Sequence, residues 1–252
     1  MYNNRQPIRG IRNESLDNKD RFAEFHEQRV NADHDLRTDE NYPLAVIHIA
    51  PKLAFSNAAT RFTVPDLLER DIRLHIGSSR PSRPNMAAGR LVCSTDPAPH
   101  RNRGGRRVSL YENTVVEILT ARETYEKKND QIISHNSLVD AITGNLAVVL
   151  SLLAERQMDQ KVLVTATFLG FDDTKFKQDF PTESITNDYI QTPVLSFSGY
   201  NAKNDEDDST YDLRTEYVKE LFRPLFHSAG RQDFPMDIPD TVELPDLSLD
   251  NS

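Results

Sequence analysis

Apolar positions along the chain fall into runs with two periods, and those periods place most of the elements. Between Pro43 and Pro51, Leu44, Val46, His48 and Ala50 share one face of an extended chain, while Ala45, Ile47 and Ile49 share the other. Both faces are largely apolar, as in a central strand buried on two sides. Lys161–Gly170 reads the same way. Val162, Val164, Ala166 and Phe168 line one face, and Leu163 and Leu169 sit on the other with Thr165 and Thr167. Arg90–Thr95 and Pro193–Ser198 predict further strands. Residues 106–121 predict a hairpin, with Val108 and Leu110 on one arm and Val115, Val116, Ile118 and Leu119 on the other; Tyr111–Asn113 form its turn. The alternation of Ile72, Leu74 and Ile76 predicts a short edge strand.

Helical spacing appears in four places. From Ser134 or Asn136 to Arg156, Leu138, Ile142, Leu146, Val149, Leu150 and Leu153 make a broad apolar stripe. Gly144 inside it costs ~1 kcal/mol relative to Ala and suits close packing against a sheet. Residues 18–32 place Phe22, Phe25 and Arg29 at 0, +3 and +7, with His26 one position off that stripe. Phe22 and Phe25 are the expected anchors on the central strand, and Arg29 is expected to pair with a carboxylate or a partner. Pro65 opens a short helix. Residues 211–228 carry Leu213, Tyr217, Leu221 and Leu225 on one face, with Pro224 predicting a kink or an early end.

The order of elements predicts one α+β domain, a mixed sheet with packing helices, over 18–230. A polar, flexible segment at 1–17 precedes it. An acidic, flexible tail at 231–252 follows, with six acids and no base after Arg231.

Composition narrows the class. The chain has 252 residues, 37% hydrophobic, with twelve Phe and eight Tyr, enough to fill one sizeable core. A single cysteine, Cys93, excludes an intrachain disulfide framework. The longest apolar run is Leu146–Ala154, short of the ~20 residues of a spanning helix, and the N-terminus has no apolar secretory core. The expectation is a cytoplasmic protein with no membrane association. The net charge is -9, yet seven arginines (80, 83, 90, 101, 103, 106 and 107) gather between residues 80 and 107 against one acid, Asp96.

That local excess supplies the candidate nucleic-acid or anion-binding set: Arg90, Arg101, Arg103, Arg106 and Arg107. Guanidinium forks, with the backbone N–H groups of Gly104-Gly105, can hold phosphate. Such contacts would go to phosphates rather than bases. The plain alternative is a solvated basic hairpin tip. Neither a GxGxxG nor a GxxxxGK[ST] motif occurs. No HExxH or metal-ligand spacing appears, so no metal, cofactor or catalytic residue is assigned. His48, in an apolar strand, must hydrogen-bond if buried, and reads as a structural histidine bonded to backbone or a carboxylate. Ser56 lacks the sharp strand-to-helix turn of a serine nucleophile. Asp172-Asp173 with Asp179 and Glu183 have a nuclease flavour, but Glu117-Ile-Leu ends without the lysine of the nuclease pattern.

Two stretches carry a resemblance. Phe22-Ala-Glu-Phe25-His26-Glu-Gln-Arg29, followed after a charged connector by Val46-Ile-His48-Ile-Ala-Pro51-Lys-Leu-Ala54-Phe55-Ser56, resembles the region that follows the Schlafen/Alba-like DNA-binding domain in bacterial and archaeal proteins described as ATP-binding or as transcriptional regulators. Phe25, Arg29, His48, Pro51, Phe55 and Ser56 occupy the matching positions. The likeness runs over roughly 20–230 and is specific only in its first sixty residues. The glycine-rich, aromatic middle of the family is here rich in arginine and proline, and the domain upstream in such proteins is absent from this sequence. The resemblance implies an accessory C-terminal region working with a separately encoded Schlafen/Alba-like partner.

The sequence therefore favours a non-enzymatic accessory binding or assembly domain whose basic middle contacts nucleic acid, or a partner that does. The alternatives are a metal-dependent enzyme of nucleic-acid metabolism with its site near His48, Arg90 and Asp172, and a purely structural oligomerisation domain.

Overall fold

The doubly apolar strands form the middle of one antiparallel sheet. The computed structural model describes residues 18–32, 43–56, 61–77, 82–95, 104–121, 124–127, 130–133, 135–158, 161–176, 184–198, 200–201, 210–212, 215–230 and 241–243. In chain order the elements are α1 (Asn18–Val30), β1 (Leu44–Pro51), α2 (Val64–Leu68), β2 (Asn85–Ala87), β3 (Arg90–Thr95), β4 (Arg106–Leu110), β5 (Val116–Thr120), β6 (Thr124–Lys127), β7 (Asp130–Ile133), α3 (His135–Glu155), β8 (Lys161–Leu169), β9 (Thr174–Phe176), β10 (Tyr189–Gln191), β11 (Leu195–Ser198), β12 (Tyr200–Asn201), β13 (Thr210–Asp212), α4 (Thr215–Ser228) and β14 (Thr241–Glu243).

The principal sheet runs β10-β8-β1-β5-β4-β3-β2, with β11 also paired to β8. All its pairs are antiparallel; a parallel pair occurs between β7 and β9 in a small sheet with β6. β1 therefore lies between β5 and β8, and every residue from Leu44 to Pro51 is buried. β10 and β11 share one edge of β8, interrupted at 192–194. Thr192 repairs the interruption. Its N–H donates to the Ala166 carbonyl at 2.9 Å and its Oγ1 accepts from the Ala166 N–H at 2.9 Å. Pro193, which has no N–H to give, falls in the break.

Helices cover both faces of this sheet, giving an α+β domain. α3 packs over β1 and β5, α4 over β8, β10 and β11, and α2 over β3; among the described residues, α1 is the helix that packs over β1 and β8 on the other side. The face under α2, α3 and α4 holds one continuous apolar core, including Ala45, Ile47, Ile49, Val108, Ile118, Val164, Phe168, Ile142, Val149 and Phe222. The α1 face holds two smaller apolar clusters, one around Val30, Val46 and Leu119 and one around Phe22, Ala50 and Leu163. α3 matches a membrane span in length and hydropathy over Asn136–Glu155 (mean hydropathy 1.8), but 83% of that window is buried inside the domain, as in a core helix.

Several elements depart from the sequence expectation. The buried stripe of α1 is Phe22, His26 and Val30, and Phe25 and Arg29 flank it half-buried. The stripe steps by four because His26 is held by hydrogen bonds rather than turned out to water. Ile72, Leu74 and Ile76 are buried but form no strand; Leu74 makes only an isolated bridge to Ser82. Instead, the Asn145 side chain on α3 accepts from the His75 N–H (3.2 Å) and donates to the His75 carbonyl (2.9 Å). Gly144 is explained by the same contact. A Cβ there would stand 2.3 Å from the His75 ring, so the close neighbour is this segment and not the sheet. α4 continues through Pro224 to Ser228, and residues 210–212 at the predicted helix start are β13. Within 231–252, Thr241–Glu243 pair with β13 as β14. Residues 1–17 lie outside the described residues.

Candidate functional site

The two apolar clusters under α1 are separated by a line of polar side chains. Strand pairing sets Val92, Ser109, Glu117, His48 and Thr165 directly opposite one another across β3, β4, β5, β1 and β8. Side chains alternate along a strand, so all five point to the α1 face. α1 lays His26 and Arg29 onto this row, three residues apart on one helix side. Its first turn carries Asp20 and its last turn Arg29, each favourable to the helix dipole.

Glu117 is the hub. Its Oε2 accepts from Arg29 Nε at 2.5 Å and from His48 Nε2 at 3.3 Å; its Oε1 accepts from Arg29 Nη2 at 3.0 Å and from the Tyr111 hydroxyl at 3.3 Å. Four donors fill the acceptor capacity of a carboxylate. His48 Nδ1 meets His26 Nδ1 at 2.6 Å, and His26 Nε2 meets Thr167 Oγ1 at 2.8 Å. With Glu117 ionised and His48 neutral, these contacts set one proton order. An ionised Glu117 requires a proton on His48 Nε2. A neutral His48 then accepts at Nδ1, so His26 donates from Nδ1 and accepts at Nε2 from the Thr167 hydroxyl. Every hydrogen in the chain points toward Glu117.

The electrostatics fit that order. His26, His48, Glu117 and Thr167 are each 0% exposed. Burial, together with the neighbouring His48, lowers the His26 pKa to about 3. Burial also lowers that of His48, outweighing its hydrogen bond to Glu117. Burial alone would raise Glu117, but hydrogen bonds from His48 and Arg29 hold it well below the usual carboxylate range. The Glu117 hydrogen bond raises Arg29 further, and burial raises Tyr111. The result is one Arg–Glu ion pair and two neutral imidazoles.

An aromatic cap closes the site. Phe25 stands edge-on to His48 (centroids 5.0 Å, 76°) and packs on Phe55 (5.4 Å) and Tyr111 (6.2 Å). Phe55 follows the turn after Pro51, where Ser56 donates its hydroxyl to the Leu53 carbonyl at 2.9 Å, and the Phe55 carbonyl accepts from Arg21. The structure thus gathers Phe25, Arg29, His48 and Phe55 into one constellation and gives Pro51 and Ser56 the turn that positions Phe55. Sequence reasoning found His48 as a hydrogen-bonded structural residue and Arg29 as a carboxylate's partner. It missed Glu117, His26, Thr167 and Tyr111. The available signal was the polar interruption of apolar strands at period-two positions: His48, Glu117, Thr165 and Thr167.

The arginine set is divided by strand alternation. Arg106 points toward α3, donating to the Ile76 carbonyl (3.1 Å) and to Ser137 Oγ (3.0 Å). Arg107 and Arg90 project on the α1 face, both half-buried. Arg90 donates to the Tyr111 hydroxyl at 2.9 Å and lies 5.2 Å over its ring. Arg101 and Arg103 lie outside the described residues. Asp172 is exposed beyond the end of β8 and does not join His48 and Arg90. Four strand spacings of about 4.8 Å separate β8 from β3, on the order of 19 Å. Among the described residues, no group of three or more His, Cys, Asp and Glu is arranged to hold a metal ion. Cys93 is buried, which pushes its thiol up to about 11.

No family model, curated protein or solved structure matches this chain.

Proposed function

We propose that this domain is a non-enzymatic binding module that takes the phosphate backbone of a nucleic acid on the β3–β4 end of its α1-facing sheet surface. One observation carries the reading. The groups suited to acid–base chemistry (His26, His48 and Glu117) are fully buried and hydrogen-bonded to one another, whereas Arg90 and Arg107 reach solvent beside them. A general acid or base must come within hydrogen-bond reach of a substrate, and those three lie beneath α1. The described residues of β2, β3 and β4 contain Arg90, Arg106 and Arg107 and no acid, and of these Arg90 and Arg107 face the α1 side, so this end of that surface opposes the net charge of -9. The reading rests on this geometry and not on the family resemblance.

Binding of labelled single- and double-stranded DNA and RNA across a salt series tests it. Binding should weaken as salt rises, by about 0.7 log units per tenfold salt for each phosphate neutralised on a single strand. Replacing Arg90 and Arg107 with Gln should lower both affinity and that slope. No binding at low salt overturns the reading.

A further inference from the structure

We infer that α1 is an acid-opened latch: the facing imidazoles of His26 and His48 hold it on the sheet while they share one proton between them, and its release lets each take up another. The latch does not depend on what the β3–β4 surface binds. The two sides of the sheet differ in how far they need this helix. Among the described residues, the core under α2, α3 and α4 contains no residue of α1, so it stays whole when α1 lifts. α1 enters only the two smaller clusters, through Val30 and Phe22, with Phe25 half-buried against the second. The remaining buried residue of the helix, midway between those anchors, is His26. The latch is thus held at its ends by apolar contacts, which are indifferent to protons. At its centre it is held by hydrogen bonds, which are not.

The geometry of the centre sets the proton count. Nδ1 of His26 and Nδ1 of His48 face each other at 2.6 Å, which leaves room for one hydrogen. His48 Nε2 already carries the proton given to Glu117, and His26 Nε2 takes the Thr167 hydrogen. A further proton between the facing Nδ1 atoms would set two N–H groups head to head. A further proton on His26 Nε2 would turn the Thr167 hydrogen away from its acceptor inside a fully buried site. Once α1 leaves, both rings meet water and take protons near the ordinary histidine pKa of about 6.5. Acid therefore draws the equilibrium toward the open form. Uptake occurs in that open form, so no path into the closed interior is required. The lowered pKa of both rings in the docked form agrees with this.

The surrounding charges leave the imidazoles as the sensor. β5 presents Glu117, and Tyr111 reaches it from the end of β4. Arg90 reaches the Tyr111 hydroxyl from β3, and Arg107 lies on the same face of β4. β8 presents Thr165 and Thr167, with its one charged residue, Lys161, exposed at its start. On α1, Arg29 pairs with Glu117, Arg21 donates to the Phe55 carbonyl, and Lys19, Asp20, Glu24 and Glu27 are exposed. Within the network, Glu117 is held well below the usual carboxylate range, and Arg29 and Tyr111 are raised. What changes charge there between pH 7.5 and 5.5 is the histidine pair.

Amide hydrogen exchange of the full chain at pH 7.5 and 5.5, each rate divided by its intrinsic value and followed through low denaturant concentrations, tests the latch. The central amides of α1, from Phe25 to Gln28, should be less protected than those of α3 at both pH values. Their exchange should depend weakly on denaturant, as in a local opening. Their protection should fall about 100-fold at pH 5.5, tenfold for each imidazole freed to titrate near 6.5. His26→Gln removes one titrating ring and should reduce that fall to about tenfold. His75→Gln, on the α3 side, should leave it at about 100-fold. Equal protection and equal denaturant dependence in α1 and α3 would mean one global opening and overturn the latch. Protection of α1 that ignores pH, or that falls equally in wild type and His26→Gln, overturns the histidine pair as its sensor. The wild-type comparison of α1 with α3 decides the matter even if His26→Gln does not fold.

Discussion

Ile47 and His48 are neighbours on β1 and equally buried, yet they belong to two different kinds of interior. Ile47 enters an apolar core shared with α3 and α4, where contacts are non-directional and neighbours of similar volume can substitute for one another. His48 enters a polar row in which each group has a named partner and one proton order. The first interior supplies cohesion. The second fixes where α1 sits, because sliding the helix by one turn would part His26 from His48 and Arg29 from Glu117 together. A buried ionic network is weak support for stability by itself, and a well-packed apolar replacement is often neutral or better. The specificity of α1 seating is therefore what the polar side contributes.

The strongest way to break the contrast is Arg29→Met, which leaves the Glu117 carboxylate buried without its cation. The expected loss is about 3–5 kcal/mol in denaturant unfolding. A double replacement, Arg29→Met with Glu117→Leu, should recover much of it.

Acid should act on the α1 face through His26 and His48 and on the α3 side through His75, whose pKa burial also lowers. His26 titrates at 6.5 unperturbed and at about 3 in the folded chain, so between those values the unfolded chain holds the extra proton. Its contribution is complete above pH 6.5 and is lost as pH falls toward 3, at up to about 1.4 kcal/mol per pH unit. His48 is shifted in the same direction. Glu117, held below 4.5, adds a further loss below that pH. Unfolding midpoints between pH 8 and 4 should be flat at the upper end and then fall, and His26→Gln should flatten the fall.

A subtler comparison uses one methyl-sized change on each side. Thr167→Val leaves His26 Nε2 without a donor and should cost about 1–2 kcal/mol. Ile47→Val, one methyl lost from the apolar side, should cost about 0.5–1.5 kcal/mol. Imidazole nitrogen shifts should change for Thr167→Val and stay fixed for Ile47→Val. The smallest effect belongs to Ser109→Ala. The Ser109 hydroxyl is buried and has no hydrogen-bond partner among the described residues, so its loss should leave the unfolding free energy unchanged or raise it by about 1 kcal/mol, whereas removal of a paired hydroxyl in the same row should lower it.

Much of the apolar interior was legible. The alternation in Leu44–Ala50 and Val162–Leu169, the long stripe of α3 and the 106–121 hairpin all became elements at the expected places, because each is written in local periodicity. The polar interior was only half legible. The sequence indicates that His48 needs a partner and that Arg29 wants a carboxylate, but not that both meet at Glu117. That follows from β1 lying between β5 and β8, a long-range pairing that no local spacing encodes. The alternation that misled at Ile72, Leu74 and Ile76 has a similar cause: burial against α3 has the same period as burial in a sheet. The arginine cluster was visible as composition, and strand alternation then sent Arg106 to one side and Arg107 to the other.

The Asn145–His75 pair has a consequence of its own. A carboxamide on a helix imitates the peptide group of an adjoining strand, giving the 71–76 segment a docking partner it lacks in the sheet. The His75 amide should therefore exchange with deuterium as slowly as a ladder proton. Its protection would report on whether α3 keeps its rotational setting, since a turn of even one residue about the helix axis would withdraw both halves of the imitation at once.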